Sequence, residues 1–260
     1  MKKLLALICV AAITTGAYAQ DDDDDEFEFE TESAISFNGG TDIASGYLWR
    51  GNQLVNGANF QPYFNFNAGP FTLGFWYINT FDGDYKEFDM YTSITAGQVT
   101  FTVTDYYTIN SYGIPSALMP KFSEYHAHET GHTLEFSTDW ESEFGLDASF
   151  NILFYGADKR DWEADPDDAI KNAYSTYFEL GYTATVKGID FRPFVGATFG
   201  KTTWYGDCSG EHGANVVNVG VKASHDIKIT DNFSLPVYAV FGYNPQSDEV
   251  AAYAGFQIGF

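Results

Sequence analysis

The chain has 260 residues, with 13 Lys and Arg against 36 Asp and Glu, a formal charge of −23. That balance excludes a general nucleic-acid binder, whose affinity rests on neutralising phosphates. Aromatics at 18%, apolar residues at 45% and 25 glycines exclude a disordered acidic chain, and a β-barrel or sandwich of this length is one domain.

Lys2 and Lys3 precede an apolar run from Leu4 to Ile13, and Ala17-Tyr18-Ala19 stands before Gln20. The run is too short to span a bilayer, and the three features together read as a secretory signal over residues 1–19. Its removal would shift the charge balance to 11 − 36 = −25 and take away Cys9, leaving Cys208 alone. A lone thiol forms no internal disulfide, so the fold must rest on a large core or a closed sheet. Cys9 follows Leu7-Ile8 inside the apolar run, a poor setting for a lipid-anchor cysteine. Residues 20–33 then form an acidic leader. Asp21 to Asp25, Glu26, Glu28, Glu30 and Glu32 place nine acids within twelve residues, a self-repelling and solvated segment expected to be disordered. Weak divalent-cation binding is its functional alternative, with no spacing that specifies a site.

From residue 34 to 260 the dominant period is two, so the expected class is all-β. Phe60, Phe64 and Phe66 alternate with Gln61, Tyr63, Asn65 and Asn67, and Val99, Phe101 and Val103 with Thr100, Thr102 and Thr104. Only Asp167 to Ala173 departs toward a helical spacing. The pattern predicts twelve strands, over 34–48, 58–67, 71–80, 87–96, 99–107, 132–140, 146–155, 173–186, 190–200, 215–225, 233–242 and 250–260. Connections alternate between long and short, as in an up-and-down transmembrane barrel with long loops outside, short turns in the periplasm and both termini periplasmic. Strands of about ten residues suit a tilted crossing of the hydrocarbon layer. Aromatics near strand ends, among them Tyr47, Trp49, Tyr107, Trp140 and Trp204, suit interfacial girdles, and no charge falls at the middle of an outward face. Pro62, Pro193 and Pro236 oppose the pattern; each predicts a later strand start or a bulge, because proline removes a ladder donor.

Parity assigns the inward face. It carries Asp42, Arg50, Asp89, Glu135, Asp139, Asp147, Glu179, Arg192 and Lys222, six acids and three bases. Against hydrocarbon these charges would be prohibitive, whereas a wet lumen holds them readily. Two readings stand side by side: a pore whose acid excess mildly favours cations, and an internal salt-bridge network that plugs a narrow barrel. Inward Tyr63, Trp76, Tyr91, Tyr177, Phe194 and Tyr238 argue for constriction and are equally able to stack on sugar rings.

His128-Glu129-Thr130-Gly131-His132 matches H-E-x-x-H, in which a helix sets two histidines on one face for zinc. The context opposes it: Gly131 weakens a helix, strand alternation resumes at Thr133, and no downstream ligand follows. With His126, the pair His128 and His132 is at most an adventitious metal site, and solvated loop histidines are the simpler reading. Cys208 with Asp207, Glu211 and His212 lacks the rigid third group of a triad. Ser224 and His225 are adjacent on a strand and point to opposite faces. No cofactor motif and no enzyme signature survive.

The final segment Ala254-Gly255-Phe256-Gln257-Ile258-Gly259-Phe260 resembles the C-terminal signal of bacterial outer-membrane barrels, alternating hydrophobics and ending in an aromatic. Tyr47-Leu48-Trp49-Arg50-Gly51 resembles the aromatic-x-aromatic-Arg-Gly segment of the TorF-type porin family, and Phe233 to Val237 with Phe241 to Pro245 is similar to that family's final hairpin. The resemblance implies an integral outer-membrane barrel acting as a passive channel for small solutes or ions. It further implies lipid and lipopolysaccharide as surroundings and the barrel-assembly machinery as a partner reading Phe260. The acidic leader and the long third loop depart from that family's pattern. The alternative is a closed barrel serving as a surface adhesin or binding module through residues 108–131 and 156–172.

Overall fold

The two-residue alternation becomes a ladder of antiparallel strands. A computed structural model of the chain describes residues 35–111, 120–127, 129–160, 167, 170–205 and 213–260. The signal segment, the acidic leader, His128 and the Cys208 loop lie outside the described residues. In chain order the strands are β1 (Ile35–Ala44), β2 (Tyr47–Trp49), β3 (Asn52–Val55), β4 (Asn59–Ala68), β5 (Phe71–Thr80), β6 (Lys86–Ala96), β7 (Val99–Asn110) and β8 (His132–Glu141), followed by β9 (Leu146–Gly156), β10 (Thr176–Tyr182), β11 (Ala184–Val186), β12 (Ile189–Phe199), β13 (Ala214–Thr230), β14 (Phe233–Asn244) and β15 (Glu249–Gly259).

All but β2 and β3 join one 13-stranded sheet in which neighbours in sequence are neighbours in space. The β1–β15 pairing joins first strand to last, and the β10–β12 pairing completes the ring. Because β10 and β11 are one strand broken at Thr183, the wall is a closed barrel of twelve staves. No helix among the described residues is long and apolar enough to cross a membrane, a finding that does not bear on crossing by strands.

Connections at one end are tight: residues 69–70, 97–98, 142–145, 187–188 and 231–232. At the other end run 45–58, 81–85, 111–131, 157–175, 200–213 and 245–248. Lys187 and Gly188 both have positive φ (53° and 80°), the pair that a two-residue type I′ hairpin requires. Outward positions around the wall are apolar and exposed, including Phe64 on β4, Leu73 on β5, Phe101 on β7, Phe150 on β9, Val195 on β12 and Phe241 on β14. A continuous exposed apolar belt of this kind has no place in water.

The interior is closely fitted because large side chains lie over glycines of adjacent strands. A Cβ on Gly74 would sit 2.2 Å from the Tyr91 ring, one on Gly196 2.2 Å from the Tyr177 hydroxyl, and one on Gly255 2.6 Å from that of Tyr238. Gly220 receives Phe194 in the same way, at 2.4 Å. The inward aromatics therefore lie flat along the wall instead of projecting to the axis.

Several expectations need correction. The first wall strand ends at Ala44, not at 48, and Tyr47 to Val55 form a separate hairpin. Tyr47, Trp49 and Trp204 consequently belong to the interior packing, not to an interfacial girdle. The tenth predicted strand continues to Thr230, since Ile227 and Ile229 extend its alternation and Asp226 and Lys228 pair with Pro236 and Ser234. The eighth begins at Thr176, and the described residues 170–173 contribute a turn and a bridge from Lys159 to Asn172. The prolines neither shorten their strands nor sit at bulges. Each lies where one flanking ladder lapses: β4–β5 pairs skip Pro62, Pro193 lies between the β10 and β11 pairings, and β14–β15 pairing starts just after Pro236. The missing N–H thus costs no bond.

Candidate functional site

The hairpin β2–β3 turns inward from the long-loop end and crosses the lumen. Its base is apolar: Val55 packs with Ile78 and Tyr85, and Tyr47 lies on Trp76 at 5.5 Å between centroids. Its tip is Arg50-Gly51, with φ of 51° and 90°. A Cβ on Gly51 would meet the Val217 carbonyl of β13 at 1.9 Å, so only glycine permits that approach. Trp49 packs against Tyr205 at 5.4 Å and edge-on against Tyr106 and Trp204. Asn52 Nδ2 donates to the Trp204 carbonyl, which ties the hairpin to the 200–213 connection.

Arg50 grips Glu135 of β8 through both guanidinium nitrogens, with Nη2 to Oε1 at 2.8 Å, and donates from Nη1 to the Tyr205 hydroxyl at 3.0 Å. Glu135 is 1% exposed. Its Oε1 also accepts from Tyr106 and Ser137, both at 2.9 Å. The guanidinium lies over the rings of Trp49 and Tyr177 at 4.8 and 5.1 Å. The planar fork and the two stacked faces use features of arginine that lysine lacks.

Toward the short-turn end the interior is wetter. Arg192 bridges Asp147 (Nε to Oδ2, 3.0 Å) and Glu179 (Nη2 to Oε1, 2.9 Å). Glu179 accepts from the Tyr177 hydroxyl at 2.5 Å, and Asn218 donates to that same hydroxyl oxygen at 2.9 Å. Two cavities of about 500 and 370 Å³ lie here. The first is bordered by Asp139, Glu141, Asp147, Glu179 and Arg192, the second by Asp42, Asp190, Ser224 and Tyr238, and Lys222 borders both. Lys222 Nζ stands 5.0 Å from the Tyr238 ring, whose hydroxyl donates to Asp42 at 3.1 Å.

Of the residues assigned to the lumen, Asp42, Asp89, Glu135, Asp139, Asp147, Glu179, Arg192 and Lys222 stand on the interior parity of wall strands. Arg50 is also interior, on the hairpin instead of the wall. The structure brings Arg50 to Glu135 and Arg192 to Asp147 and Glu179. It leaves Asp89 apart from every cation in that set, beside Glu87. Glu87 shares Asp89's parity two residues earlier and was legible by the same alternation.

Against the expectation that no charge falls at the middle of an outward face, Asp105 stands there on β7. It accepts from the Tyr125 hydroxyl (2.7 Å), and its Oδ1 meets His132 Nδ1 at 2.7 Å. Residues 120–127 and 129–131 lie over this cluster, with Phe122 against Tyr107 and His132. His132 Nε2 meets the Phe122 carbonyl at 2.7 Å, and the ring is stacked between Tyr125 and Tyr107 at 3.9 and 4.7 Å. Both polar partners are acceptors, so both contacts are hydrogen bonds only when the ring carries a proton on each nitrogen. His132 opens strand β8 and the described residues 129–131 are not helical, so the spacing that H-E-x-x-H needs for zinc is not formed. Among the described residues no group of three His, Cys, Asp or Glu could hold a metal ion. In the 157–175 connection, Asp158 accepts from the Ser175 amide and hydroxyl at 2.9 and 2.7 Å, and burial pushes its carboxyl pKa up.

No family model and no curated protein matches the chain, so the likeness to the TorF-type porins stays a resemblance. Among solved structures, a Rhodopseudomonas blastica porin mutant is similar at 10% identity over 87% of this chain and 100% of that one, with a TM-score of 0.37. An outer membrane channel from Pseudomonas putida F1 is similar at 9% identity over 91% and 99% of the two chains, with a TM-score of 0.37. At this level neither assigns a family or an activity.

Proposed function

We propose that the chain is an outer-membrane barrel that conducts small solutes or ions and is held closed from its long-loop end by the β2–β3 hairpin. One observation carries the reading. The element that fills the lumen is a separate hairpin, held to the wall by side chains and outside its hydrogen-bonded ladder. A filled barrel built only for rigidity needs no such part, because wall side chains alone can pack an interior of modest size. The apolar belt supports membrane insertion, and the tight turns support a periplasmic short-turn end with both wall termini there. Phe260, 85% exposed beyond β15, is accessible to the assembly machinery. Lipid and lipopolysaccharide are the surroundings this reading implies.

The acids around the two cavities outnumber Arg192 and Lys222, which supports a mild preference for cations once the lumen opens. The test is planar-bilayer conductance of the refolded chain beside a variant in which residues 47–55 are replaced by a short Gly-Ser linker. Rare, small steps in the parent and frequent, larger ones in the variant are expected, with a cation-selective reversal potential under a salt gradient. A variant that is folded in the bilayer and silent overturns the channel reading.

A further inference from the structure

Below the base of the hairpin the wall holds two carboxylates without a cation. Glu87 and Asp89 stand two residues apart on the interior face of β6, 8% and 5% exposed. Glu87 is satisfied by neutral donors, the Tyr85 hydroxyl at 2.8 Å and Thr108 Oγ1 at 2.9 Å. Asp89 is satisfied only in part: its carboxyl accepts from the Tyr107 backbone amide, and its Oδ1 is buried with no hydrogen-bond partner. Its neighbours across the ladder are Trp76 on β5 and Tyr106 on β7, and Trp76 is roofed by Tyr47 of the hairpin.

Every element packed around Asp89 adds acid or neutral groups. Glu87 faces it from its own strand, Tyr47 from β2, Tyr85 from the 81–85 connection, Tyr106 from β7 and Glu135 from β8, with Asp105 behind the wall. The hairpin's one cation, Arg50, is committed to Glu135. A buried carboxylate with a bare oxygen and a second carboxylate beside it is costly when charged, and a proton removes that cost. Withdrawal of the hairpin would bring water to the group and remove the need for the proton.

We propose that Asp89 is a proton-operated latch for the hairpin: its carboxyl keeps a proton while the hairpin is seated and gives it to water when the hairpin leaves. Acid then favours the closed lumen and alkali the open one. The inference rests on the reading of the hairpin as a closure, and the experiment separates the two.

Open probability of the refolded full chain is measured in planar bilayers from about pH 4 to about pH 8, together with Asp89→Asn and the variant lacking residues 47–55. The expected result is a rise of at least about tenfold across the range for the parent. Asp89→Asn, neutral at every pH, stays closed throughout. A parent flat with pH, or an Asp89→Asn variant that keeps the parental response, overturns the latch, while conduction by the hairpin-less variant still upholds the channel. Silence of that variant overturns both. If Asp89→Asn fails to fold, infrared spectroscopy of the parent decides: a protonated-carboxyl C=O band at neutral pH that disappears in alkali is expected, and its absence overturns the proposal.

Discussion

Arg50 combines a left-handed backbone, a two-pronged grip on a buried carboxylate and two aromatic faces in one residue. Arg50→Ala leaves Glu135 charged and buried without its cation, a change that typically costs about 3–5 kcal/mol. The expected outcome is a lower urea midpoint and raised conductance; Arg50→Lys, which keeps charge but not the fork or the stacking, should fall between. His132→Ala removes the ring on which Phe122, Tyr125 and Asp105 converge, so trypsin should cut after Lys121 at least several-fold faster while the barrel itself stays resistant. The interior charges were legible because alternation alone decides which face a strand residue takes. Arg50 is interior for a different reason from the one parity suggests: it does not carry on the alternation of a wall strand past 48 but stands at the tip of a separate hairpin, and Ser45-Gly46, a turn-forming pair, is the local signal of the break. Parity also sets Asp105 outward; what one strand does not reveal is the distant segment, with Tyr125 and His132, that makes a charge tolerable there.

Strands and their contacts obey simpler rules. The twelve staves were readable almost to the residue wherever hydrophobics alternate, and they slipped where alternation met polar extensions, as beyond His225 in β13. The prolines illustrate what a linear pattern omits: whether an N–H is needed depends on the neighbour's register, and register is a property of pairs. The glycine-under-aromatic fit is likewise invisible in one strand. It yields a sharp test, because Gly74→Val places a branched side chain where the Tyr91 ring lies and overpacking of this kind costs about 1–3 kcal/mol. The double variant Gly74→Val with Tyr91→Ala should recover part of that loss. Urea-unfolding midpoints of the three proteins check it; a double variant no better than the single one would show that the ring contact is not the cause.

At the scale of the molecule, polarity is arranged by height. The long-loop half is filled by the hairpin and by Trp204 and Tyr205, and the short-turn half keeps its cavities and most of the acids not bound to arginine. Neutralising Asp139 and Glu141 together, in the background lacking residues 47–55, should reduce cation preference with little change in stability; an unchanged reversal potential would place selectivity elsewhere. Such layering was not legible from the chain, because the hairpin reads as the end of one strand and the start of a loop.

The seam between β1 and β15 has a consequence for how the protein comes into being. Their ladder runs only from Gly40↔Gly259 to Ala44↔Gly255, the two partners lying at opposite ends of the described sequence. Every other stave can pair soon after it is made, but this join waits for the last one. Until then the sheet has two bare edges, each able to recruit a foreign strand. The hairpin follows β1 directly and reaches across to β8, β10 and β13. Its docking can thus gather distant staves around a shared centre before the circle shuts, shortening the interval in which those edges are vulnerable.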